Sequence, residues 1–191
     1  ELAYPTNALE PYYSQETLEI HYNTLYKGYV DNTNKTQEKL KIAREKGDFE
    51  NIKCLEKDLT FFGSGAILHE YFFENMGIAI PTTPDNLLME QIIKDFGSYD
   101  IFKKQFTESA KTVEASGWNL LVWVPRFRKL EIIQCEKHQN LTLWSCIPLL
   151  VVDMWEHSYF LQYKANRGQY IEALWNILNW NIANQRFKEI Q

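Results

Sequence analysis

Cysteine is scarce in this chain, which has three (Cys54, Cys135 and Cys146) among 191 residues. The number is odd and no two of them form a C-x-x-C motif, which argues against a disulfide framework and against a zinc cage. Free thiols are typical of a reducing compartment, and we predict a cytoplasmic protein. The sequence shows no signal peptide at its start, although a leader that had already been removed would leave the same start.

An excess of positive charge and long apolar runs are also lacking. The net charge is -5, and no local cluster of lysine and arginine is dense enough for a nucleic-acid footprint. The most apolar stretch, at about 147–155, is far too short for a bilayer span of about 20 residues. We therefore expect neither nucleic acid nor a membrane as a partner. The chain is long enough for one compact unit or two closely packed lobes.

The first part of the chain has helical periodicity. Ser14 is a good N-cap, and apolar or aromatic residues recur at helical spacing from Leu18 to Val30. A charged stretch of mixed sign continues to Lys46, and Gly47 is a natural stop. A second helix is predicted at 49–73, although Gly63-Ser64-Gly65 is costly in a helix interior and suggests a bulky neighbour. These patterns predict an N-terminal helical hairpin domain over residues 1–80.

The second part mixes helices and strands. After a linker at 81–84, helical patterns cover 86–96 and 99–113, and β-like runs cover 118–124, 130–135 and 147–153. The tail, 159–188, returns to short aromatic helices. We predict an α+β fold, in which residues 81–191 form a C-terminal α/β domain with a three-stranded antiparallel sheet.

Histidine is rare as well, and its placement suggests a metal site. Asp153 closes an apolar run, where a buried carboxylate is costly unless it is paired or bound to a metal, and His157 follows four residues later. His21 and His69 lie one on each predicted helix of the hairpin. Convergence of these residues would give a nitrogen-rich site with one carboxylate, suited to redox-active iron or manganese. Such a metal site would lie between the two domains. The alternatives are a buried Asp153–His157 ion pair and a half-buried structural His21.

Five segments in order resemble the iron/manganese superoxide dismutase family over essentially the whole chain. The signature segment of the family resembles residues 153–159, and the similarity continues over 163–180. The family's first ligand helix resembles 18–30, its second ligand helix resembles 65–69, and its turn into the sheet resembles 116–118. The resemblance implies that His21, His69, Asp153 and His157 bind one iron or manganese ion per subunit, with a solvent molecule as fifth ligand.

The resemblance also assigns the surroundings of the metal. Tyr29 corresponds to a tyrosine near the substrate channel, and Trp118 and Trp155 to aromatic walls. Family members place a glutamine beside the metal-bound solvent, but the helix position for it is Gly65 here. The partner must then come from the sheet, as His138 or Gln139, and we favour His138 over a surface-loop role for that histidine.

The implied activity is the conversion of two superoxide anions to dioxygen and hydrogen peroxide, with Tyr29 and His138 as the proton path. His138 favours iron over manganese, and Lys27 and Arg167 are candidates for attracting the anion, unless they are ordinary surface charges. Glu156 corresponds to a residue that binds the partner subunit's metal-ligating histidine. The chain is therefore expected to form a homodimer, and the sequence leaves open whether dimers pair into tetramers.

Four positions depart from the family pattern. Leu25 and Phe160 replace a histidine and a tyrosine that bond across the dimer, and Phe73 and Leu120 replace other aromatic residues. These changes make the channel entrance more apolar, so the alternative is a catalytically weak or inactive dismutase-fold protein with a structural or interaction role. A mononuclear iron oxygenase is disfavoured by the third histidine.

Overall fold

The computed structural model describes residues 1–78, 81 and 83–190. Within these ranges the fold is α+β, as predicted. The elements in chain order are α1 (Gln15–Ile20), a π-helical segment (His21–Tyr26), α2 (Lys27–Lys46), α3 (Ile52–Glu74), α4 (Asn86–Phe96), α5 (Tyr99–Lys111), β1 (Gly117–Val124), β2 (Lys129–Glu136), β3 (Ile147–Asp153), α6 (Glu156–Tyr163), α7 (Arg167–Leu174) and α8 (Trp180–Glu189).

The helical hairpin is formed by α2 packing along α3. Its start and its turn follow local sequence signals, as predicted. The hydroxyl of Ser14 accepts a hydrogen bond from the backbone N–H of Thr17, and Gly47 ends α2 in the left-handed region at φ 63°. Helix α3 begins at Ile52 rather than at Phe49.

The π-helical segment between α1 and α2 was not predicted. Its i→i+5 hydrogen bonds place more residues in each turn than an α-helix has, so successive side chains are separated by a smaller angle. In a regular α-helix His21 and Tyr29 would be offset by about 80° around the axis. The wider turns reduce that offset, and both side chains face α3.

The sheet has the order β2-β1-β3, and both pairings are antiparallel. Every residue of β1 is buried, because β1 is the central strand and helices cover both of its faces. Trp118 contacts Phe72 on α3, and Asn119 bonds the carbonyl of Phe106 on α5. The register places Trp118, near the start of β1, opposite Cys135 on β2 and opposite Asp153 on β3. A tryptophan and a carboxylate therefore lie side by side at one end of the sheet.

A buried asparagine ties the hairpin to the sheet. The side-chain amide of Asn75, just after α3, donates to the carbonyl of Leu149 and accepts from the backbone N–H of Val151. This contact docks α3 against β3, and His69 on α3 thereby faces the end of β3.

The predicted division at residue 80 falls on Ile80, and the predicted linker at 81–84 includes Thr82; both residues lie outside the described residues. The helices in the described ranges are all too short or too polar to cross a membrane.

Candidate metal centre

Four side chains from three parts of the chain converge at the end of β3. The Oδ2 atom of Asp153 lies 3.2 Å from Nε2 of His21, 3.7 Å from Nε2 of His69 and 3.1 Å from Nε2 of His157. One nitrogen or oxygen atom from each of the four residues lies within 4.8 Å of the other three. The residues that the sequence predicts as ligands therefore form one cluster, close enough for a single ion to contact all of them.

Hydrogen bonds to backbone groups orient the side chains of Asp153 and His69. Oδ1 of Asp153 accepts a hydrogen bond from the backbone N–H of Trp155 at 2.8 Å, which turns Oδ2 toward the histidines. Nδ1 of His69 lies 2.6 Å from the carbonyl of Gly65, one helical turn earlier. Because a carbonyl oxygen can only accept, Nδ1 of His69 carries the proton and Nε2 is free to bind a metal.

The cluster is buried, and burial controls its charges. His21, His69 and Asp153 are fully buried, whereas the side chain of His157 is 23% exposed. Burial lowers the pKa of His69 to about 3 and also lowers the pKa of His21. Burial alone would raise the pKa of Asp153, but His157 and His21 hold it well below its usual range. Neutral imidazoles around an ionised carboxylate are the forms that bind a metal ion.

Unsatisfied atoms show that the donor set fits a metal. Among the described residues, Nε2 of His21 and Nε2 of His69 are buried and make no hydrogen bond, although both lie near Oδ2 of Asp153. Their position relative to the carboxylate is outside hydrogen-bond geometry, and such orphaned buried nitrogens are costly. Three imidazoles and one carboxylate suit iron or manganese.

Aromatic rings enclose the cluster. The ring of Trp118 meets that of His69 edge to face, with centroids 5.0 Å apart, and Phe73 contacts His21 in the same way, also at 5.0 Å. Tyr29 stacks on the ring of His69, with centroids 4.9 Å apart. These rings exclude water and preserve a low local dielectric constant.

Tyr29, His138 and Trp118 form a hydrogen-bonded line beside the cluster. The indole N–H of Trp118 can only donate, and it donates to Nδ1 of His138 at 3.0 Å. Burial lowers the pKa of His138 to about 4, so the neutral ring carries its proton on Nε2 and donates it to the hydroxyl of Tyr29 at 2.8 Å. The hydroxyl proton of Tyr29 is thereby left for another acceptor.

The other residues predicted around the metal occupy distinct places. His138 is 3% exposed and stacks on Trp155 at 4.6 Å, so it is not a surface-loop histidine. The side-chain oxygen of Gln139 accepts from the backbone N–H of His138 and does not join the line to Tyr29. Gly65 leaves room for the ring of Tyr29. Glu156 is exposed at the start of α6.

One of the positions that depart from the family pattern, Phe73, packs against a histidine of the cluster. Phe73 and Leu120 are buried, Leu25 is partly buried, and Phe160 is 47% exposed. Of the two cations considered for attracting an anion, Lys27 bonds the side chain of Asn23 on the surface. The Arg167 guanidinium is occupied by the hydroxyl of Tyr159 and by two backbone carbonyls, those of Val113 and Ala115.

A chain of hydroxyl groups behind His21 was not predicted. The hydroxyl of Tyr13 lies 2.8 Å from Nδ1 of His21 and 3.3 Å from Oγ of Ser158. Oγ of Ser158 lies 2.7 Å from the hydroxyl of Tyr170, which donates to the carbonyl of Asp153 at 3.0 Å. The one local signal was Ser158 itself, a polar residue next to His157 in the signature segment.

Comparisons with known proteins find similarity along nearly the whole chain. Residues 1–77 match the model of the iron/manganese superoxide dismutase alpha-hairpin domain, and residues 84–186 match that of the C-terminal domain of the same family. An iron superoxide dismutase of Methanothermobacter marburgensis is 43% identical over 100% of this chain and 95% of its own length. A manganese/iron superoxide dismutase of Propionibacterium freudenreichii is 43% identical over 99% of this chain and 95% of its own. A probable iron superoxide dismutase of Bacillus subtilis is 41% identical over 99% of this chain and 67% of its own.

Proposed function

The chain belongs to the iron/manganese superoxide dismutase family, and on that basis we propose that it converts superoxide to dioxygen and hydrogen peroxide. Two superoxide anions and two protons give one molecule of each product. The observation that carries the proposal is the convergence of three histidine nitrogens on the buried carboxylate of Asp153. His21, His69, Asp153 and His157 would hold the ion.

The cofactor is one iron or manganese ion per subunit. The chemistry that such an ion supplies when bound is one-electron exchange, by which one superoxide anion is oxidised and a second is reduced. The chain's own side chains limit which species reach it, since the rings of Trp118 and Phe73 border the ligands. The relatives named above, an iron enzyme, a probable iron enzyme and a manganese/iron enzyme, support the preference for iron.

Proton supply is the task that we assign to Tyr29 and His138. The pKa of Tyr29 is raised to about 12 by burial, so its hydroxyl keeps a transferable proton near pH 7, and His138 is neutral there because burial lowers its pKa. The bond from Nε2 of His138 fixes the Tyr29 oxygen as an acceptor and leaves its own proton free to be donated. A proton given up by Tyr29 is replaced from solvent, and the N–H of His138 stabilises the phenolate in the meantime.

Homodimer formation is part of the proposal, and Glu156 is its centre. Within the described residues, Nδ1 of the partly exposed His157 makes no hydrogen bond, and neither does the exposed carboxylate of Glu156. A second copy of the chain could pair these groups, because a carboxylate is a suitable acceptor for the N–H of a ligating histidine. Replacing Glu156 with alanine is then expected to weaken both the dimer and metal binding, as measured by sedimentation and metal analysis.

We further propose that the metal site lies between an N-terminal domain (1–80) and a C-terminal domain (81–191). The positions of its ligands on the hairpin and at the end of β3 support this division. A cytoplasmic location is supported by the three free cysteines.

The proposed activity is tested by measuring superoxide dismutation per bound metal on protein loaded separately with iron and with manganese. High activity with at least one metal is expected. An Asp153→Asn variant serves as the control, because it preserves the shape of the side chain but removes the charge. Stoichiometric metal with negligible activity in both wild-type forms would instead support the inactive alternative, with Leu25 and Phe160 as the first positions to revert.

A further inference from the structure

Three buried hydroxyl groups link the imidazole of His21 to the main chain of Asp153, and the steps described above use none of them. From the geometry we propose that Tyr13, Ser158 and Tyr170 are positioning residues, which together hold His21 in the tautomer that binds a metal. The proposal deepens the proposed function and rests on it only in taking His21 and Asp153 as ligands of one ion.

The direction of the hydrogen bonds follows from the Asp153 end. A carbonyl oxygen can only accept, so the single hydroxyl proton of Tyr170 is used in its 3.0 Å bond to that carbonyl. The oxygen of Tyr170 must then accept the proton of Ser158, 2.7 Å away. With its own proton used, Ser158 accepts from the hydroxyl of Tyr13 at 3.3 Å.

The consequence appears at His21. Because the proton of Tyr13 points to Ser158, the Tyr13 oxygen accepts a hydrogen bond from Nδ1 of His21 at 2.8 Å. A neutral imidazole has one N–H group, so Nε2 is left unprotonated. Nε2 is the atom that lies 3.2 Å from Oδ2 of Asp153 in the cluster, and an unprotonated nitrogen is what a metal ion requires.

The second histidine of the hairpin shows why His21 needs a longer chain. Nδ1 of His69 meets the carbonyl of Gly65, which can only accept and so determines the tautomer directly. A tyrosine hydroxyl can donate or accept, so Tyr13 alone would leave the tautomer of His21 open. If all the bonds were reversed, Tyr13 would donate to His21 and the bond from Tyr170 to the Asp153 carbonyl would be lost.

Burial makes the direction of the chain consequential. Tyr13, Ser158 and Tyr170 are each fully buried, so bulk water does not replace a lost partner. The bond between Tyr13 and Ser158 joins residues 145 positions apart in sequence. The chain therefore also sets the position of the helix that carries His21 relative to β3, which carries Asp153.

The test uses the metal-loaded, full-length protein in three variants. Tyr13→Phe removes the acceptor for His21, and Ser158→Ala breaks the chain one step further away. Tyr163→Phe is the matched control, because its hydroxyl donates to the backbone carbonyl of Tyr12, outside the chain. In the ferrous protein the Nδ1 protons of ligating histidines give proton NMR signals that are strongly shifted by the iron and exchange with solvent. Iron affinity is measured in parallel by competition with a chelator.

We expect Tyr13→Phe and Ser158→Ala to shift the same Nδ1 proton signal, or to accelerate its exchange with solvent, while the signal of His69 is unchanged. Iron affinity should fall by about 10- to 100-fold in both variants, the usual effect of removing a group that orients a ligand. The control should match the wild type in both measurements.

Wild-type signals and affinity in Tyr13→Phe and Ser158→Ala would overturn the proposal. A change in Tyr13→Phe alone would overturn the proposed chain of hydrogen bonds, since Tyr13 would then act without Ser158. If Tyr13→Phe does not fold, Ser158→Ala decides, because it removes a single oxygen atom. Dismutase activity of the wild type is measured separately, so an inactive protein whose signals respond as expected would reject the proposed function and support the chain.

Discussion

A Cβ atom at Gly65 would lie 2.5 Å from ring carbon Cδ1 of Tyr29, closer than Cβ atoms come to their neighbours in real proteins. The ring of Tyr29 thus occupies the space of a side chain on α3, and there it stacks on His69 and reaches His138. A glycine inside a helix costs roughly 1 kcal/mol relative to alanine. At Gly65 this loss of helix stability allows the close approach of Tyr29, the residue to which we assign proton donation.

Gly65→Ala is expected to displace the ring of Tyr29 and to disrupt its bond to His138. Activity per metal should fall by about 10-fold or more, because small misplacements of reacting groups are costly. Overpacking should lower the free energy of unfolding by about 1–3 kcal/mol.

Gly63→Ala is the control. The nearest side-chain atom to its Cβ would be Cγ2 of Thr33 at 3.9 Å, so it should gain about 0.5–1 kcal/mol. Equal activity in the two variants would contradict the role of Gly65.

Tyr29→Phe removes the hydroxyl that we assign to proton transfer and leaves the ring stack on His69 in place. We expect kcat to fall by about 10- to 100-fold. This loss is at or below the lower end of what a general acid usually contributes, because water can supply part of the protons. Metal content should not change. Stopped-flow decay of superoxide gives kcat, and a variant with the wild-type value would exclude Tyr29 from the proton path.

His138 and Gln139 are separated by paired substitutions. His138→Gln removes the hydrogen bond from the imidazole Nε2 to the hydroxyl of Tyr29. The substitution should change the ratio of iron-dependent to manganese-dependent activity by about 10-fold. Gln139→Ala removes only an acceptor for a backbone N–H in the loop, so the ratio should stay within about twofold. A larger effect at Gln139 would reverse the assignment.

The burial of His138 predicts a pH dependence of stability. Burial lowers the pKa of His138 to about 4, whereas a histidine in the unfolded chain has a pKa of about 6.5. As the pH falls below 6.5 the unfolded chain binds a proton that the folded protein does not, so stability decreases until about pH 4. This histidine contributes up to about 1.4 kcal/mol per pH unit across that window.

The measurement is urea unfolding of the metal-free protein between pH 6.5 and pH 4.5. His138→Gln should have a shallower dependence on pH than the wild type. The changes at His69 and Asp153 have the same sign but are common to both proteins, so the difference reports on His138. Parallel curves for the two proteins would show that His138 is not kept neutral by burial.

The sequence by itself determined the fold class, several helix ends and the membership of the metal cluster. Caps such as Ser14 and Gly47 act within a few residues, and helical or alternating periodicity reports which face is buried, so these features can be read locally. The four ligand positions followed from motifs in a recognisable order. The apolar run that ends at Asp153 already required a partner for that carboxylate.

Only the tertiary structure decided how the cluster is oriented. The π-helical segment that begins at His21 has no local sequence signal. A one-residue shift in the alignment of the loop left His138 and Gln139 as alternatives. The structure distinguishes them, because His138 stacks on Trp155 and bonds the hydroxyl of Tyr29. Tyr13 reaches Ser158 across 145 positions. A hydrogen-bond chain of that kind depends on where three elements pack, and no pattern within one element encodes it.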